Sequence, residues 1–362
     1  MSARHRWDPR ATRVAVVHPR RIGDGLSPDQ ARGPRWRRTG SGLYDPAVLD
    51  PSVVQQRIVE EAARLPPGGA VTGWAACLLA GAAWFDGLGL DGRTELPVEL
   101  AVGPRGGVRP RPGIVVSCAR LPDWEVWVRH GVRCARPERA VLDQMRRCSP
   151  AEAVVVAESA IAGEITSLAR LTAFAASHRA SRRRVVAEWA LSRVRGGVRS
   201  PLEVRVRTVA EEAAGYSRME VNRVVMRRDG TRIGEVDLLD LQSGTAIEID
   251  GGDHRWAAQQ AWDITKEEAL RSVGLEVARV TGGQARDEDV LASRLVAVRA
   301  RSAFTAPEDR RWWLAPCDRD TEALLGEREH DAMWWGDAEL SGGCGYRTVA
   351  GQISSVDPLT VR

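Results

Sequence analysis

Asp237, Glu248, Asp250 and Asp253 gather around one Ser243-Gly244 turn in the stretch IGEVDLLDLQSGTAIEIDGGDH, Ile233 to His254. Strands disfavour Asp, and neighbouring carboxylates repel one another. If Ser243-Gly244 is a two-residue hairpin turn, Gln242 pairs with Thr245, Leu239 faces Glu248 and Asp237 faces Asp250. Side chains alternate along a strand, so Asp237, Glu248 and Asp250 then share one face. Val236, Leu238, Ile247 and Ile249 share the other and can pack on a core. Carboxylates opposed across a ladder at about 5 Å are costly unless solvated or bridged by a cation. Mg²⁺ suits one or two carboxylates, several waters and a substrate phosphate. The spacing alone is equally that of a solvated acidic sheet face.

These residues need a sheet to hold them, and the flanking sequence supplies one. Ser200 and Pro201 open a helix that Gly215 closes. Glu203, three residues past the cap, is placed either to cap that helix, to join the acidic group, or to do both. The following MEVNRVVMRRDGTRIGEVDLLDLQSGTAIEIDGG alternates as antiparallel strands, with turn signals at Asp229-Gly230 and Ser243-Gly244. His254 sits just past the acidic strand, either as a proton donor or acceptor near the site or as a turn residue.

Upstream, GLSPDQA reads as a helix start and RWRRTGSGLY as a small hairpin, the pattern of half a winged helix or of a basic arm. DPSVVQQRIVEEAARLPP and GGAVTGWAACLLAGAAWFDG read as helices, Thr72 being a candidate N-cap. ELPVELAVG, GIVVSCARL and WEVWVRHGVRCA read as strands, and further helices follow up to Gly196-Gly197. The divisions expected are 1–48, a basic arm or partial winged helix; 49–198, a mixed helical and β region, the N-terminal part as a whole being mainly helical with a small β component; 199–303, the domain with the acidic group; and 304–362, a poorly ordered tail.

The pattern SPLE…G…VDLLD…AIEIDGGDH…LRSVGLEVARVT resembles the Vsr-like endonucleases of the PD-(D/E)XK nuclease superfamily over residues 199 to 303. The closing segment contributes Leu270, Gly274, Val277, Arg279 and Thr281. The resemblance implies a mixed α/β fold with an α-β-α core around a central mixed sheet. It also implies metal-dependent hydrolysis of phosphodiester bonds in DNA. Asp237 matches the metal-binding Asp, Glu248 the acidic residue of the (D/E)XK strand, and Glu203 the helix glutamate; Mg²⁺ or Mn²⁺ is the implied cofactor. Asp250 stands where the general pattern has Lys, leaving Lys266 and His254 as candidates for that function. Lys266, Arg271 and Arg279 are the expected phosphate contacts. Residues 49–198, by texture and order, are similar to AbiEi-type antitoxin-like proteins of actinobacteria, which implies DNA binding and a toxin or defence-system partner. From that resemblance comes the other functional reading, a non-catalytic DNA-binding regulator on a disused nuclease fold.

Composition permits this without requiring it. The chain has 362 residues, 43% of them hydrophobic, and a formal net charge of +4. Of its 52 basic residues, Lys266 is the sole lysine, and Arg is the better side chain for bidentate phosphate contacts. GC-rich coding would produce the same bias. The six cysteines show neither a CxxC pair nor zinc spacing, and no apolar run is long enough for a membrane span. A cytoplasmic protein is expected, with oligomeric state open.

Overall fold

Serine side chains set many of the helix starts: Ser27, Ser149, Ser167 and Ser200 each accept a hydrogen bond from the backbone N–H three residues on. That contact satisfies one of the four donors that a helix start leaves unpaired. The computed structural model describes residues 15–316 apart from 41, 51, 90–91, 105, 179–182 and 251–256, and apart from the side chains of 257–261. His254 and Asp253 lie outside the described residues.

In chain order the first elements are α1 (Pro28–Arg32), β1 (Trp36–Gly40), β2 (Leu43–Pro46), α2 (Val54–Ala62), β3 (Ala70–Thr72), α3 (Gly73–Ala80), β4 (Val98–Ala101), β5 (Ile114–Ser117), β6 (Val126–Arg129) and β7 (Val132–Ala135). β1 and β2 form the arginine-rich hairpin, and the other five strands form a mixed sheet in the order β5-β4-β3-β7-β6. The region expected to be mainly helical with a small β component thus holds a complete five-stranded sheet. Thr72 occupies the N-cap of α3 without capping it: its hydroxyl donates to Asp143, and Gln144 Oε1 accepts from Trp74 N instead.

Four helices follow: α4 (Pro137–Met145), α5 (Pro150–Ala162), α6 (Leu168–Ser177) and α7 (Arg184–Leu191). Then come α8 (Pro201–Ala213), β8 (Glu220–Arg227), β9 (Arg232–Asp240), β10 (Thr245–Asp250), α9 (Ala257–Ser272), β11 (Glu276–Thr281), α10 (Glu288–Arg301) and β12 (Trp312–Leu314). The second five-stranded sheet runs β11-β10-β9-β8-β12, with β10 and β11 parallel and the other neighbours antiparallel. The fold class is mixed α/β.

Two apolar clusters lie against this second sheet. Val204, Val206 and Ala210 of α8 and Leu291, Leu295 and Val298 of α10 pack with Leu238, Ile247 and Val280. Leu270 of α9 packs with Val225, Leu239, Ala246 and Val277 in the other cluster. Helices therefore cover both faces in three layers, as a parallel pair buried on both sides demands. The first cluster continues without a break into the N-terminal half, through Val154 and Ala157 of α5, Val141 of α4 and Leu100 of β4.

Residues past 303 join the sheet rather than leaving it. β12 pairs with β8, Trp312 opposite Arg227, and the Trp312 side chain is buried in the α9-side cluster. The tail expected from residue 304 thus contributes an edge strand, and residues 317–362 lie outside the described residues. Among the described residues no helix is long and apolar enough to cross a membrane.

Candidate active site

The turn between β9 and β10 has four residues, not two. Asp240 pairs with Thr245, Leu239 with Ala246 and Leu238 with Ile247. Asp240 dictates this. Its Oδ2 accepts from the Ser243 backbone N (3.0 Å) and from Ser243 Oγ (2.6 Å), Ser217 Oγ donates to its Oδ1, and its carbonyl accepts from Gly244 N. Gly244 takes the left-handed conformation that closes the loop (φ 70°). Burial works to raise the Asp240 pKa, but the hydroxyl and amide donors win and hold it below the usual value.

The ladder is therefore shifted by two residues from the expected register. An even shift preserves the parity, so Asp237 and Glu248 keep a common face, and this register directs Asp237 toward Glu248 rather than toward Asp250. The regular ladder ends at the Leu238–Ile247 pair. Beyond it the Asp237 carboxylate itself accepts from the Ile249 backbone N at 2.7 Å. A side chain thus takes a donor that a continuing strand would use. β10 meanwhile stays paired with β11 as far as Asp250–Thr281. The two acidic residues stand where β9 and β10 part.

Three more elements close on this fork. On β8, Val221 pairs with Leu238 and Arg223 with Val236, which sets the intervening Asn222 opposite Asp237. Asn222 is left-handed (φ 48°), a conformation that Asn tolerates better than most side chains. Its amide donates to Gly197 O (2.8 Å) and to Glu203 Oε2 (2.7 Å), while its Oδ1 is buried without a partner. At the start of α8, Glu203 also accepts from Arg199 N and Ser200 Oγ, both at 2.9 Å, while its own backbone N–H is capped by Ser200. Glu203 therefore both secures its helix start and belongs to the acidic group. Burial first, and then the charge of Asp237, push its pKa up to about 7.

From α9, Lys266 reaches Glu248: its Nζ donates to Oε2 at 2.6 Å, and the Lys266 and Glu248 side chains are 10% and 15% exposed. The other carboxylate oxygen, Glu248 Oε1, is buried with no hydrogen-bond partner. Burial pushes the Glu248 pKa up to about 7; Lys266 works against this and Asp237 with it. Gly234 gives the lysine its path, because a Cβ there would lie 3.0 Å from the Lys266 side-chain carbons.

Of the expected site residues, Asp237, Glu248, Glu203 and Lys266 come together. Lys266 is a largely buried partner of Glu248. Asp250 ends β10 one alternation further along the strand. Arg279, in register with Glu248 across the parallel pair, is engaged by Glu267 (3.2 Å) and Asp263 (3.8 Å). Arg271 stands apart, with Glu267 and Glu276 both at 3.2 Å. Asn222 was not among the expected residues; a lone Asn inside an apolar β run is the signal that marks it, since strands disfavour Asn.

Two carboxylates, one with an orphaned buried oxygen, are the hard donors that Mg²⁺ or Mn²⁺ prefers. The described residues contain no group of three or more His, Cys, Asp or Glu arranged to hold an ion by themselves. A cation here would thus complete its shell with water and substrate oxygens. No protein-family model, curated protein or solved structure matches the chain.

Proposed function

We propose that the chain is a divalent-metal-dependent endonuclease that hydrolyses phosphodiester bonds in DNA. The observation that carries this reading is the nearness of Asp237 and Glu248 where β9 and β10 part, with one Glu248 oxygen on the sole lysine and the other unpaired. Asp237 and Glu248 would hold Mg²⁺ or Mn²⁺, which supplies Lewis-acid charge at a scissile phosphate and acidifies water.

The chain's own residues do the rest. Lys266 places a fixed ammonium beside Glu248, where it offsets negative charge as a phosphate approaches two carboxylates. It thereby takes, from a helix, the place of the motif lysine that Asp250 replaces. Glu203, anchored by three donors, stands beside Asp237 with a pKa of about 7, so it can take up or release a proton near neutral pH. Asn222 holds Glu203 in place. The resemblance to Vsr-like nucleases supports this assignment of roles and supplies DNA as the substrate; a role in phage defence or repair belongs to the same proposal.

The second reading is a DNA-binding regulator of the antitoxin kind. It is favoured by the Lys266–Glu248 ion pair, which neutralises one ligand carboxylate as a purely structural contact would. Supercoiled plasmid separates the two. The nuclease reading expects nicking with Mg²⁺ or Mn²⁺ that vanishes in EDTA and in Asp237→Asn, with duplex binding retained in both. Retarded but uncut plasmid in every metal would select the regulator.

A further inference from the structure

A second charged feature lies in the N-terminal half, away from the acidic fork. Arg38, Thr39, Gly40 and Leu43 of the β1–β2 hairpin, Arg64 beyond the end of α2, and the stretch from Gly107 to Ile114 line an open cleft of about 590 Å³. Five arginines line it: Arg21, Arg38, Arg64, Arg109 and Arg111. Glu61 is the carboxylate they engage, taking Arg64 at 2.5 Å and Arg111 at 2.6 Å. Arg38 uses its Nε on Gly40 O. Arg21 and Arg109 are exposed and make no ion pair or side-chain hydrogen bond among the described residues. Leu43, Val108 and Ile114 supply the apolar part of the wall.

The cleft is built, not merely decorated. Arg64 passes beneath the hairpin to donate to Thr39 O as well as to Glu60 O. Gly40 makes that passage, since a Cβ there would fall 2.2 Å from Arg64 Nη2. Two guanidinium groups are thus pinned on one carboxylate at the base, while three others keep donors to spare. Like charges converging in a concavity repel unless an anion joins them. Guanidinium forks match phosphate oxygens in pairs, and every basic residue here is Arg. A volume of this size has room for more than one phosphate group.

We infer that this cleft binds closely spaced phosphates, presented either by a nucleic-acid backbone or by a free polyphosphate. The site is independent of the acidic fork and would stand if the nuclease reading fell. The test is made in EDTA, so that cleavage plays no part, on the full chain. Two probes are titrated, inorganic tripolyphosphate and a labelled 20-base-pair DNA duplex. Wild type is compared with Arg21→Ala/Arg109→Ala and with Arg32→Ala/Arg184→Ala, which removes the same charge from exposed ion pairs elsewhere.

The expected result is that the cleft variant loses about tenfold or more in affinity for at least one probe, at unchanged melting temperature, while the control loses little. If the duplex is the ligand, its salt slope falls by about 2 in the cleft variant, and tripolyphosphate displaces it. Binding of tripolyphosphate with no duplex binding through these arginines identifies a free polyphosphate as the source. Failure to bind either probe, or equal affinity in wild type and cleft variant, overturns the inference.

Discussion

Three residues with opposed needs share the acidic fork, and the conflict has a measurable sign. Glu203 and Glu248 are both pushed up to about 7 by burial and by Asp237. A carboxylate whose folded pKa exceeds its unfolded value binds more protons when folded, so its contribution is fullest below about 4.5 and is lost as pH rises through about 7. Asp237→Asn keeps an oxygen for the Ile249 N–H and removes the charge that raises both neighbours. In EDTA the variant should therefore gain stability over wild type as pH rises from 5 to 8, by on the order of 1 kcal/mol at the upper end. Urea denaturation at several pH values measures it. Destabilisation at pH 8 would show that the Asp237 charge supports the fold instead of straining it. Residue alternation together with an even-length turn placed Asp237 and Glu248 on one face, and the even register shift left that placement standing. The role of Asn222 and its bond to Glu203 were not legible, because they depend on a left-handed residue and on how α8 meets β8.

At the scale of elements, the β9–β10 turn shows what sequence reading lacks. Ser243-Gly244 is a proper turn signal, but the buried Asp240 collects Ser217, Ser243 and Gly244 and lengthens the loop to four residues. Long-range partners such as Ser217 leave no local trace. β12 is a similar case. Its three residues are too short for a periodic signal, yet Trp312 is 6% exposed within the α9-side cluster. Trp312→Ala should cost about 3 kcal/mol by removing that packing, read as a shift of the denaturation midpoint. Trp313, on the same strand but half exposed, should tolerate Ala with little loss. Equal effects at the two positions would mean that the strand does not dock as described.

For the molecule as a whole, the described residues fall within one compact unit, although their motifs divide near residue 199. The join is both apolar and ionic. Arg207 of α8 and Glu158 of α5 are 1% and 0% exposed and meet at 2.5 Å, while Glu158 Oε1 also accepts from Arg195 N. Removing one member of such a pair leaves a buried charge, so Arg207→Ala should cost about 3–5 kcal/mol, whereas Arg207→Met with Glu158→Leu should recover most of the loss. Calorimetry should show one transition carrying both sheets. Separate melting of the N-terminal and C-terminal sheets would contradict a shared core. Periodicity and capping signals marked the helices up to α8 but not α9 or α10, and they carried no information about which half of the chain packs on which.

Nuclease chemistry at the fork requires a divalent cation held by Asp237 and Glu248, and calorimetric titration of Mn²⁺ into metal-free protein at pH 8 measures that binding itself. One site is predicted in the wild type, weakened about tenfold or more in Asp237→Asn and in Glu248→Gln. It should weaken as pH falls below 7 and protons compete for Glu248. No binding by the wild type, with duplex DNA present or absent, or binding unchanged in both variants, would contradict the cation site and the nuclease chemistry built on it.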